Sequence, residues 1–153
     1  MGNITSLADL EKEMTFYLEL ELSTYSKFFV RDIVRAIDIG CFPWNESIEL
    51  SILTDYEPDL KEEYVNNPPD WRLYNFTSNC AYGSWYAAEK MAAWAKEEYE
   101  KDNNVFKDIL LVCANALKSK SVNDVLLKKF KLSNDFRLIV KHPDEPDGIN
   151  YCD

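Results

Sequence analysis

Asp32-Ile-Val-Arg-Ala-Ile-Asp-Ile-Gly-Cys-Phe42, Pro43-Trp-Asn-Glu46 and Ile48-Glu-Leu-Ser-Ile-Leu-Thr54 follow one another with only Ser47 between the last two, and this stretch decides the fold. Ile33, Ile37 and Ile39 share one parity, as the buried side of a half-buried strand requires. Arg35 shares that parity and interrupts the alternation. Ile48, Leu50 and Ile52 fall on one side of the second segment, Glu49 and Ser51 on the other. Pro43 to Glu46 supplies the turn. Two alternating segments joined so tightly predict an antiparallel hairpin.

Upstream, Leu7, Leu10, Met14, Leu18, Leu22 and Tyr25 recur at three- and four-residue steps, which predicts a helix from about Leu7 to Phe29. Ser6 followed by Asp9 is a plausible capping start. Downstream, Trp71 to Phe76 reads as a third strand. Ser84 to Lys101 reads as a helix with Trp85, Ala88, Ala92, Ala95 and Tyr99 on one face, and Glu97 with Lys101 as a favourable ion pair. Asn103-Asn104 breaks that helix and caps the next. The stripe Phe106, Ile109, Leu110, Cys113, Ala116 and Leu117 follows. Ser121 with Asp124 starts a short helix holding Val125, Leu126 and Phe130. Asp135 to Lys141 is a last strand with Phe136, Leu138 and Val140 inward. The expected architecture is α+β, a small and mainly antiparallel sheet of three or four strands with three or four helices packed against it. Residues 1–153 are read as a single domain.

Between the hairpin and Trp71 lies the chain's most charged segment, Asp55-Tyr-Glu-Pro-Asp-Leu-Lys-Glu-Glu-Tyr-Val-Asn-Asn-Pro-Pro-Asp-Trp71. It carries six carboxylates against Lys61, a local excess of five negative charges. Pro58, Pro68 and Pro69 argue against one long helix or strand. Carboxylates steer a basic partner and bond its Lys and Arg. Tyr gives rigid contact area, and proline restricts the loop before it binds. Asp55, Tyr56, Glu57, Asp59, Glu62, Glu63, Tyr64 and Asp70 are therefore the candidate partner-binding residues. A solvated charge run is the plainer alternative, and Trp71 and Tyr64 are as well suited to a core.

Composition narrows the classes. The net charge of −10 argues against direct nucleic-acid binding and against anionic membranes. No secretory signal and no apolar run of ~20 residues is visible, so a cytoplasmic protein is expected. Cys41, Cys80, Cys113 and Cys152 are scattered without a C-x-x-C pair, and His142 is the one histidine. Reduced thiols and no metal site are expected. With four glycines and no glycine-rich phosphate motif, no nucleotide cofactor is expected. Asp144-Glu-Pro-Asp-Gly148 lacks the spacing of a calcium loop. His142, or a pair of carboxylates, is the candidate for a small enzyme, although no nucleophile motif accompanies it. Lys118, Lys120, Lys128, Lys129 and Lys131 form a basic patch, and Trp44 sits in the hairpin turn. Either could serve an adaptor or regulatory interaction, or be a solvated face and a packing residue.

The order helix, hairpin, acidic loop ending in Pro-Pro-Asp-Trp, helices and late strand resembles small bacterial α+β proteins grouped as immunity proteins of polymorphic and contact-dependent growth inhibition toxin systems. Thr54-Asp55-Tyr56 and Asp70-Trp71 are the motif pieces that carry it. The resemblance implies a non-enzymatic, stoichiometric inhibitor of a cognate cationic toxin domain. Such toxins are frequently nucleases, whose basic substrate site an acidic protein can occupy.

Overall fold

The structure is a computed structural model that describes residues 3–57, 61–78 and 86–153. Among these the fold is α+β, with a three-stranded sheet and five α-helices. The first helix, α1, spans Leu7–Tyr25 and continues as a 3-10 turn to Phe29. Ser6 caps it, its hydroxyl accepting the Asp9 N–H at 3.1 Å. Asp9 returns the favour by accepting from the N–H and hydroxyl of Thr5. Leu10, Met14, Leu18, Leu22 and Tyr25 are buried along one stripe.

Strands β1 (Ile33–Phe42) and β2 (Ser47–Thr54) form the antiparallel hairpin, closed by a 3-10 turn over Pro43–Asn45 and by Glu46 at φ 50°. A β-bulge accounts for Arg35. Val34 pairs with Thr54 and Ala36 with Leu53, so Arg35 is an extra residue and the facing pattern flips across it. Val34, Ile37, Ile39 and Cys41 therefore share the helix-covered core, while Ile33 is exposed.

The strand β3 (Lys131–Ile139) pairs with β1 in parallel, giving the order β2-β1-β3. The sheet is thus mixed, one antiparallel and one parallel pair, where a mainly antiparallel one was expected. The cause is topological. β3 returns only after three helices, α3 (Tyr86–Lys101), α4 (Val105–Leu117) and α5 (Lys120–Lys129), which is the kind of crossover a parallel partner needs. The anticipated strand at 71–76 is a single bridge, Leu73 to Ile52. 3-10 turns over Pro68–Asp70 and Phe76–Ser78 and a positive φ of 47° at Asn75 keep it from extending. Helix α5 begins two residues earlier than its predicted start and is capped by Ser119. Asn104 precedes α4 without a side-chain capping bond. The predicted positions Ser84 and Trp85 lie outside the described residues.

Helices pack on one face of the sheet. Ala88, Met91, Ala92 and Ala95 of α3, the whole predicted stripe of α4, and Leu126 of α5 join the α1 stripe in one core. The other face carries a smaller cluster: Ala36, Leu53, Ile139, Val65 and Trp71, with Tyr64 packed against it. The acidic segment, through the one-turn helix α2 (Glu62–Val65) and the turn after it, covers this second face.

Candidate functional site

Trp71 fastens the acidic segment. Its indole is 3% exposed, and Nε1 donates to the Tyr64 carbonyl at 2.9 Å. Glu57 is turned inward and 6% exposed. Its Oε2 lies 2.7 Å from the Tyr64 hydroxyl, and its Oε1 accepts the Arg72 N–H at 3.0 Å. The Asp55 carboxylate accepts the Ile33 N–H at 3.0 Å, tying the segment's start to β1. The candidates therefore divide. Glu57 and Tyr64 hold the segment together, Asp55 is exposed but occupied, and Asp59 lies outside the described residues.

Glu62, Glu63 and Asp70 are exposed with their charges outward. They do not share one hollow. Glu63 and Asp70 line a groove with Lys61, Tyr64 and Asn67, and Asn67 Nδ2 donates to Asp70 Oδ2 at 2.7 Å. Glu62 faces a different groove with Arg35, Asp135 and Arg137, where Arg35 and Asp135 form an ion pair at 2.5 Å. Tyr56 stands 74% exposed with the Arg72 guanidinium over its ring at 5.7 Å.

A second feature escaped the sequence reading. A cleft of about 100 Å³ opens on the same sheet face, between residues 66–69 and 141–146. Phe42, Pro68, Pro69 and Pro143 wall it, and Asp38 of the central strand lines it while only 6% exposed. Burial first, then the nearby Glu49 charge, push the Asp38 carboxyl up to about 8 against the opposing charge of Lys141. Tyr74, also in the cleft, donates its hydroxyl to Glu49. Burial, then that bond, holds the Tyr74 hydroxyl well above its usual range. Alternation along β1 places Asp38 beside Gly40 and Phe42, but only the register with β2 and β3 reveals that this parity faces a cleft. The short carboxylate flanked by Ile37 and Ile39 was the available signal.

His142 sits at the rim of this cleft. Its ring stacks on Phe106 with centroids 4.9 Å apart, and its Nδ1 accepts the Asp144 N–H at 3.1 Å. The Nδ1 lone pair is thereby engaged by the backbone. Trp44 folds back onto α3 and α4, 5.9 Å from Tyr99 and 5.5 Å from Phe106. Lys118, Lys120, Lys128, Lys129 and Lys131 are exposed, with Lys120 paired to Asp124 at 2.7 Å. Beside them Phe16, Leu20 and Val125 line a groove between α1 and α5.

Among the described residues no three His, Cys, Asp or Glu side chains gather as metal ligands, and no helix is long and apolar enough to cross a membrane. No protein-family model, curated protein or solved structure matches the chain.

Proposed function

We propose that this chain is an immunity protein that neutralises a basic toxin domain, most readily a nuclease, by binding it through the acidic segment. One observation carries the reading. The segment is fixed to the sheet by Trp71, Val65 and Glu57, yet Glu62, Glu63 and Asp70 remain outward. A solvated charge run needs no such anchoring. A presenting surface gains from it, because residues anchored before the partner arrives need less ordering on binding. The net charge of −10 supports fast, salt-sensitive encounter with a basic surface.

The division of the candidates sharpens the test. Neutralising Asp55 or Glu57 would confound binding with folding, so the informative variant is Glu62→Gln/Glu63→Gln/Asp70→Asn. The ligand to use is a basic toxin domain taken from a reading frame neighbouring this gene. Co-expression with the wild-type chain rescues growth, and the triple variant associates at least tenfold more slowly at low salt. A toxin that the chain does not bind overturns the reading. Equal association rates for the triple variant and the wild type overturn the assignment to this surface.

A further inference from the structure

Asp38 stands out as a buried carboxyl whose one attractive neighbour among the described residues is the charge of Lys141. It is more than nine-tenths buried, it lines a cleft, and among the described residues no donor reaches it. Buried acids normally find partners, because an unsatisfied one costs free energy. Its neighbours are engaged elsewhere. Tyr74 serves Glu49, and Lys141 Nζ donates to the Pro146 carbonyl at 3.0 Å.

Size and charge limit what would enter. About 100 Å³ falls well short of a drug-sized pocket and suits a single side chain. The proline and phenylalanine walls suit an aliphatic stem; Asp38 in the lining, with the Glu49 charge near it, suits a positive head, and Lys141, also in the lining, opposes one. Gly40 keeps the space open, since a Cβ there would stand 3.8 Å from Asp38 Oδ2 and 3.0 Å from the Phe42 ring. The cleft also adjoins the acidic segment, because Asn67 lines both it and the groove holding Glu63 and Asp70.

We propose that this cleft receives one basic side chain, arginine or lysine, of the protein partner, with Asp38 as its counter-ion. The inference rests on the reading above that the partner is basic and docks on the acidic segment. Docking of a cation draws the proton off Asp38, so binding releases a proton and strengthens as pH rises toward 8. The other groups facing Asp38 are Glu49 on β2, Tyr74, Lys141 and His142 at the rim, and Cys152 in the tail.

The experiment titrates n-butylguanidinium into the isotope-labelled chain and follows the amide signals of Gly40 and Asn67. N-butylurea is the neutral control of the same shape. Saturable shifts are expected for the cation, with a dissociation constant on the order of 1 mM, and none for the urea. Affinity rises about tenfold per pH unit below pH 8. Asp38→Asn abolishes binding and Gly40→Ala weakens it, while Glu62→Gln/Glu63→Gln/Asp70→Asn retains it. Equal binding of the urea, or binding that survives Asp38→Asn, overturns the cleft and leaves the acidic surface standing. Loss of toxin binding in the triple variant, with probe binding intact, supports that surface separately. With the toxin in hand, saturating n-butylguanidinium weakens its complex with the wild type but not with Asp38→Asn. Absence of that competition overturns the assignment to a partner side chain.

Discussion

Tyr64 and Glu57 are joined through the phenol hydroxyl and Oε2, 2.7 Å apart, across seven residues of chain that include the charged part of the loop. The same hydroxyl lies 2.8 Å from the Asp70 carbonyl, so its one proton serves two acceptors. Glu57 Oε1 meanwhile takes the Arg72 N–H. One buried carboxylate therefore closes both ends of the acidic segment.

Glu57→Ala leaves the Arg72 N–H and the Tyr64 hydroxyl without this acceptor. The Tyr64 hydroxyl keeps the Asp70 carbonyl, so the orphaned Arg72 N–H carries most of the cost, and a destabilisation of about 1–3 kcal/mol is expected. Glu57→Gln keeps one carbonyl acceptor and should lose less than half as much. Urea denaturation measures both. Equal stability of Glu57→Ala and the wild type would show that the clamp contributes nothing.

Trp71 separates packing from hydrogen bonding. Trp71→Ala removes a side chain that is 3% exposed and opens the second core, at about 3–5 kcal/mol. Trp71→Phe keeps most of the apolar contact and gives up only the bond to the Tyr64 carbonyl, at about 1 kcal/mol. Limited proteolysis adds a spatial readout: cleavage within 61–70 should accelerate in the alanine variant while the helices stay protected.

The thiols should follow burial. Cys41 and Cys113 are free and fully buried side by side in the helix-covered core, and a hydrogen bond to Cys41, then burial, holds the Cys113 thiol well above its usual range. Burial pushes the Cys152 thiol up to about 12. Because the thiolate is the nucleophile, Cys152 should react with iodoacetamide at pH 8 at least a hundredfold more slowly than free cysteine. Cys41 and Cys113 should stay unlabelled until the chain unfolds. Peptide mapping by mass spectrometry reads each site separately, and rapid native labelling of Cys113 would contradict the packing.

The helices and the hairpin were legible because each writes its period into a run of neighbouring residues. Leu10, Met14, Leu18 and Leu22 sit on one stripe whatever the rest of the chain does. Even the bulge left a trace, as the wrong parity of Arg35. What the sequence hid was long-range. Nothing near Phe136 says that its strand runs parallel to β1, or that Leu73 contributes one bridge instead of a strand. Charge counting found the acidic segment but could not tell outward Glu63 from inward Glu57, since that depends on the Arg72 N–H and Tyr64 arriving from later in the chain. Asp38 was hidden for the same reason: Tyr74, Glu49 and Lys141 surround it from three separate elements.

Asp38 should also govern how stability depends on pH. Its carboxyl is raised from 3.8 to about 8 in the folded chain, chiefly by burial. Between those values the folded state holds a proton that the unfolded state releases. Stability therefore falls as pH rises from about 4, and the loss levels off once pH passes about 8. Asp38→Asn keeps the shape of the neutral acid and carries no titrating group. Its advantage over the wild type should be small at pH 4 and grow to on the order of 5 kcal/mol by pH 9, read as a widening gap in Tm. Glu49→Gln removes the negative neighbour that helps raise Asp38, so the loss should level off at a lower pH and be smaller than in the wild type. A gap between Asp38→Asn and the wild type that stays constant from pH 4 to 9 would mean that Asp38 ionises as freely in the fold as in the open chain, and the cleft would then hold a permanent charge.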